Sequence, residues 1–279
     1  MQKQHPFFCM EYYDTYEFVS VIHDLVENGF ESSWYYDGFE DFIEQHISSV
    51  FRPFQKFSIL HQFISFVSYE LFKEEVDDSV LDIIVRDSDC VLWVNKALKI
   101  YKIPHMDFRE WLAKQSLSIA SLEHESVILD YYAYLYEKGP LIDLLEIYSN
   151  EAFYILFLNR HFLYQFNKQI SLRTTKVRFS DLTQNSKHLF RKDGILRRVN
   201  IPMWARKAVF YRDRGIRSHC QKDISGLINI HNAKHFDHII PLACGGLNDV
   251  SNLQLLCETC NLQKKDNEIQ ASKTYEKWY

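Results

Sequence analysis

No apolar stretch in this 279-residue sequence reaches the roughly 18 residues that a membrane-spanning helix needs, so a transmembrane protein is not expected. The first residues carry no basic segment followed by an apolar run and a small-residue cleavage site, which argues against a secretory leader. A soluble, cytoplasmic protein with no membrane partner is the expectation. Internal repeats and low-complexity tracts are also lacking. Cysteine is scarce, at six residues, and unevenly placed. Cys9 and Cys90 stand alone and read as small buried hydrophobes, whereas Cys220, Cys244, Cys257 and Cys260 gather near the end. In a chain without a leader, such spacing reads as metal binding before disulfides.

What is present is apolar and aromatic. Hydrophobic residues make up 47%, with 21 Phe and 17 Tyr, which argues against disorder and supplies enough material for two domains. The net charge of −5 is divided along the chain: residues 1–190 hold 17 of the 32 Lys and Arg and 28 of the 37 acids, near −11, and residues 191–279 are near +6. A basic C-terminal module fits a polyanion such as nucleic acid, and the acidic part makes a poor general DNA-binding surface.

Helical periodicity runs through the first 168 residues, which are expected to be all-helical with five to eight helices. Phe18, Val21, Ile22 and Leu25 predict a helix from Thr15 to about Asn28, closed by Gly29. A long candidate from Gly38 to about Val76 must break near Pro53, which lacks an amide donor and clashes with the preceding turn. Residues 78–101 and 119–137 are further candidates, the latter closed by Gly139 and Pro140, and Asp107 with Glu110 suggests a capping box. The aromatic run from Leu141 to about Phe166 reads as helix because it is long and lacks turn residues. Such a domain can mediate self-association or bind a protein partner. Over residues 169–200 the periodicity fades and basic residues collect (Arg173, Lys176, Arg178, Lys187, Arg191, Lys192, Arg197, Arg198), so a linker or basic adaptor following a phosphate backbone is expected.

The chemistry lies after residue 200. Asp237-His238 is followed by Pro241 and Gly245-Gly246, then Asn252, then Cys257-x-x-Cys260-Asn261-x-x-Lys264. A histidine titrates near neutrality and can take a proton from water, and an aspartate offers a hard oxygen to Mg²⁺. Adjacent strand residues point to opposite faces, so the two share a site through a local irregularity or through opposed placement.

Residues 205–267 resemble HNH endonucleases of the cysteine-knuckle type. The resemblance implies a small α+β, ββα-metal nuclease domain over residues 201–279 joined to the mainly α N-terminal domain. It also implies hydrolysis of phosphodiester bonds, in DNA first and RNA second, in a defence, restriction or mobile-element setting. By the same resemblance His238 activates water, Asn252 braces the loop that carries it, and Asp237 and Asn261 hold Mg²⁺ or another divalent ion. Lys264 contacts phosphate or neutralises charge near the metal, and Arg212 touches the substrate backbone. Cys220, Cys257 and Cys260 match the structural zinc positions. The sequence departs from the pattern at Arg217, where a cysteine is expected and a permanently charged guanidinium cannot ligate zinc. His219, His231 or Cys244 can supply the fourth ligand, or the zinc is lost. The competing reading is a non-catalytic nucleic-acid-binding protein that keeps the HNH-like fold.

Overall fold

The computed structural model describes residues 10–28, 38–74, 91–115, 126–216, 235–256, 260, 261 and 264. Helices dominate: α1 (Thr15–Glu27), α2 (Gly38–Val50), α3 (Ile59–Glu74), α4 (Trp93–Ile100), α5 (Phe108–Lys114), α6 (Ser126–Lys138), α7 (Pro140–Leu156), α8 (Arg160–Thr174) and α9 (Met203–Arg212), with a single helical turn at Gln184–Lys187. The described strands form two antiparallel pairs, β1 (Phe190–Lys192) with β2 (Ile195–Leu196) and β3 (Phe236–His238) with β4 (Leu253–Leu255). No helix among the described residues is long and apolar enough to cross a membrane.

Local chemistry explains most boundaries. The chain leaves helix between Val50 and Ile59, around Pro53. Asp107 caps α5, its carboxylate accepting from the Glu110 amide at 2.9 Å, but the Glu110 side chain turns to Lys114 at 3.1 Å instead of closing a capping box. The run from Leu141 to Phe166, expected as one helix, is two. The Asn159 side chain accepts from the His161 and Phe162 amides at 3.1 Å each and starts α8 afresh. Gly29 and parts of the 78–101 and 119–137 candidates lie outside the described residues.

The chain packs as two compact units, Met1–Val19 with Ile64–Ala152, and Ser20–Phe63 with Phe153–Tyr279. This grouping differs from the linear division at 168 and 200. The core of the first unit is aromatic, with Phe18 lying 4.5 Å from the Tyr148 ring and 5.6 Å from Phe72. The buried Glu151 carboxylate accepts from the Thr15 hydroxyl, the Tyr101 hydroxyl (2.8 Å) and the Glu11 amide (2.9 Å), fixing the lead-in to α7.

In the second unit Phe39 stacks on Phe63 at 4.4 Å, and Phe63 meets Phe166 of α8 at 5.5 Å. Residues 169–200, expected as a linker, complete α8 and form the β1–β2 hairpin, whose inner Phe190 packs edge-on against Phe51 at 4.9 Å. Ser58 caps α3 with a reciprocal arrangement in which histidine replaces the usual Glu or Gln: the Ser58 amide donates to His61 Nδ1 (3.1 Å), and the His61 amide to Ser58 Oγ (3.4 Å). Nδ1 must therefore be unprotonated. The ring is buried against Phe153, with centroids 3.8 Å apart, and burial lowers its pKa to about 3.

The folded state refuses a proton that the unfolded chain accepts near pH 6.5, so stability is full above that pH and falls as pH drops below it. The expected slope is up to about 1.4 kcal/mol per pH unit. Denaturant melts over the acidic range should show this slope in the wild type and a flatter one in His61→Gln, which keeps a capping acceptor without a titrating ring. Equal slopes would refute the assignment.

Candidate active site

β3 and β4 pair in continuous register, Phe236 opposite Leu255, Asp237 opposite Gln254 and His238 opposite Leu253. With no bulge, Asp237 and His238 leave opposite faces of the strand, which is the opposed placement. The loop from Ile239 to Asn252 is closed by the Asn252 amide. Its Oδ1 accepts from the Ile240 N–H (2.8 Å), and its Nδ2 donates to the carbonyls of Ile240 (3.0 Å) and Leu247 (2.9 Å). All three bonds are inside the protein, so losing the amide leaves buried backbone groups unpaired. Two glycines permit this closure. A Cβ on Gly246 would stand 2.0 Å from the Ile240 carbonyl oxygen, and one on Gly245, at φ +84°, would stand 2.7 Å from the Ser171 carbonyl oxygen of α8.

Asp237 and His238 are 6% and 1% exposed, and Lys264 is wholly buried. The Lys264 ammonium donates to Asp237 Oδ2 at 2.6 Å and also to the His238 backbone carbonyl. Asp237 Oδ1 has a longer contact, 3.5 Å to an Arg198 nitrogen. Neither His238 ring nitrogen has a hydrogen-bond partner among the described residues, and Asn248 is close enough to the ring to act on it. Burial lowers the His238 pKa to about 4. The Asp237 charge and Asn248 oppose the shift, while Arg198 and Lys264 add to it. The imidazole is therefore neutral at physiological pH, with an unused lone pair.

The loop is held from outside as well. Buried Asp249 accepts from the Ser251 amide (2.8 Å) and hydroxyl (2.7 Å) through Oδ1, and from the Ile59 amide at the start of α3 (3.1 Å) through Oδ2. Burial raises its pKa, and these hydrogen bonds oppose the rise. The Phe54 amide donates to the Asn248 carbonyl (2.8 Å), Asn167 of α8 donates to the Ser251 carbonyl (3.0 Å), and Asn248 Nδ2 donates to the Arg197 carbonyl (2.8 Å). Helical residues far away in sequence thus set the shape of the segment between Asn248 and Asn252.

The remaining expected residues divide. Arg212 is not at the surface. Its guanidinium pairs with Asp213 (2.8 and 2.9 Å), donates to the Leu253 carbonyl (2.9 Å) and lies over the Phe157 ring, so it fastens α9 to β4 rather than facing a substrate. Cys220, Cys257, Arg217, His219 and His231 lie outside the described residues; Cys260 is buried beside Leu256, and Cys244 is half-buried. Asn261 is half-buried in helical backbone three positions before Lys264. Among the described residues no three His, Cys, Asp or Glu side chains converge as a metal cluster. Asp237 Oδ1 nonetheless suits a hard cation, since Lys264 holds only Oδ2, and its remaining contact is long for a hydrogen bond.

The hairpin beside the site went unread in the sequence although its signal is present. Asp193-Gly194 is a two-residue turn between Phe190-Arg191-Lys192 and Ile195-Leu196, with Gly194 at φ +63°. It leaves Arg191, Lys192, Arg197 and Arg198 exposed.

Comparison with known proteins agrees with the motif. Curated proteins and solved structures give no match to the chain. Residues 219–274 match the family model for HNH endonuclease, so the C-terminal region, a fifth of the chain, carries an HNH domain, which points to nuclease activity on nucleic acid.

Proposed function

We propose that this protein is a metal-dependent endonuclease that hydrolyses phosphodiester bonds in DNA, with His238 as the general base. The observation that carries this reading is the buried, neutral imidazole with no hydrogen-bond partner among the described residues, one residue from a carboxylate held in place by Lys264. His238 accepts a proton from the attacking water, the water oxygen bonds to phosphorus, and the bond from phosphorus to the leaving sugar oxygen breaks. Asn252 keeps the base in place through the loop it closes. Asp237 Oδ1 and the Asn261 side-chain carbonyl would hold a divalent ion, and the three-residue spacing of Asn261 and Lys264 in helical backbone supports one shared face for those two. Such an ion, when bound, neutralises charge on the phosphate and leaving oxygens.

In this reading Lys264 works from inside, holding the Asp237 carboxylate in its orientation through Oδ2. A structural zinc on Cys220, Cys257 and Cys260 belongs to the same proposal, as does a defence, restriction or mobile-element role. The ββα arrangement of the domain is supported by the β3–β4 pair followed by helical backbone at Cys260, Asn261 and Lys264.

Purified protein with supercoiled plasmid and Mg²⁺ or Mn²⁺ should nick or linearise it, and His238→Ala should lose about 10²–10⁴-fold in rate, the usual worth of a general base. DNA binding without cutting in either protein would instead support a non-catalytic binding module. The base must be neutral to act, so kcat/KM falls as pH drops through the His238 pKa. Because burial pulls that pKa down to about 4, the acid limb should lie well below the usual histidine range of about 6.5. A limb at or above that range would contradict a buried base.

A further inference from the structure

We infer that Arg198, which precedes the segment matched by the HNH family, grips the substrate phosphodiester at this site. The inference rests on the nuclease reading above and deepens it by naming a residue that binds substrate.

Asp237 is the only acid among the described residues within ion-pair distance of Arg198, at 3.5 Å, and Lys264 already neutralises that acid at 2.6 Å. Lys264 is buried and committed, whereas the Arg198 side chain is 67% exposed. One carboxylate therefore faces two cations, and the accessible one adds an unbalanced positive charge beside His238. A guanidinium offers five donors in a planar fork suited to two phosphate oxygens, and a single long contact to Asp237 leaves most of that fork in solvent.

The backbone beneath Arg198 is fixed, which separates it from an ordinary surface arginine. Leu196 is buried in β2, the Arg197 amide donates to the Leu189 carbonyl at 2.8 Å, and the Arg197 carbonyl accepts from Asn248 at 2.8 Å. Asn248 belongs to the same loop as Asn252, so Arg198 is registered to the site through the loop that positions His238. Arg191, Lys192 and Arg197 are exposed on the same hairpin and its exit, and they continue the positive surface.

The test measures binding apart from cutting. Full-length His238→Ala protein is titrated into a short labelled DNA duplex, with and without Arg198→Ala or Arg198→Lys, over a range of salt concentrations. The expected result for Arg198→Ala is about a tenfold loss of affinity and a salt slope smaller by about 0.9, the share of one phosphate contact. Arg198→Lys should keep the slope while losing part of the affinity, because a point charge replaces a fork. Thermal melting of Arg198→Ala should be unchanged, since an exposed side chain is removed. Unchanged affinity and slope in Arg198→Ala, in a parent that binds DNA, overturn the inference and leave the nuclease reading standing. A parent that binds no DNA at any salt sinks both.

Discussion

The site depends on one buried ion pair. The ammonium of Lys264 sits between the Asp237 carboxylate and the His238 backbone carbonyl in the interior of the fold. Removing two charges from water is costly unless they meet, and leaving either one alone in the interior costs several kcal/mol. This pair therefore attaches the helical backbone at Lys264 to β3 and fills Asp237 Oδ2, which leaves Oδ1 for a cation. The neighbouring imidazole is left neutral and without a partner among the described residues, as a base must be before it takes a proton.

The same economy extends through the loop. Asn252 closes it from within, and Asp249, Asn248 and Asn167 tie it to the start of α3, the hairpin and α8. Asp249 places a carboxylate at a helix N-terminus, where unpaired amides favour negative charge, and satisfies a second turn with its other oxygen. The helical residues in this unit are accordingly part of the scaffold of the site. The HNH segment alone, from residue 219 onward, lacks Arg197, Ile59 and Asn167, which hold Asn248, Asp249 and Ser251 from outside it.

The residues proposed to carry chemistry were singled out in the sequence by their types and spacing, which the motif dictates. Asp237, His238, Asn252 and Lys264 are brought to one small sheet and its loop. The helices were legible from periodicity and from Pro53 and Asp107. The supports were not: an amide of Ile59 meeting a carboxylate 190 positions later has no sequence signature, since every residue but proline carries that donor. Arg212 shows the opposite error. Its charge suggested a substrate contact, but the adjacent Asp213 and the apolar flank of α9 draw it inward. The Asp193-Gly194 turn was readable and was obscured by the basic composition around it.

The central claim is that the His238 imidazole itself moves the proton. Chemical rescue tests this most directly: His238→Gly opens a space at the ring, and free imidazole is added to the cutting reaction. Cutting should be negligible without imidazole and should rise with the concentration of the neutral form. A His238→Gly protein that cuts at the wild-type rate without imidazole would contradict the claim.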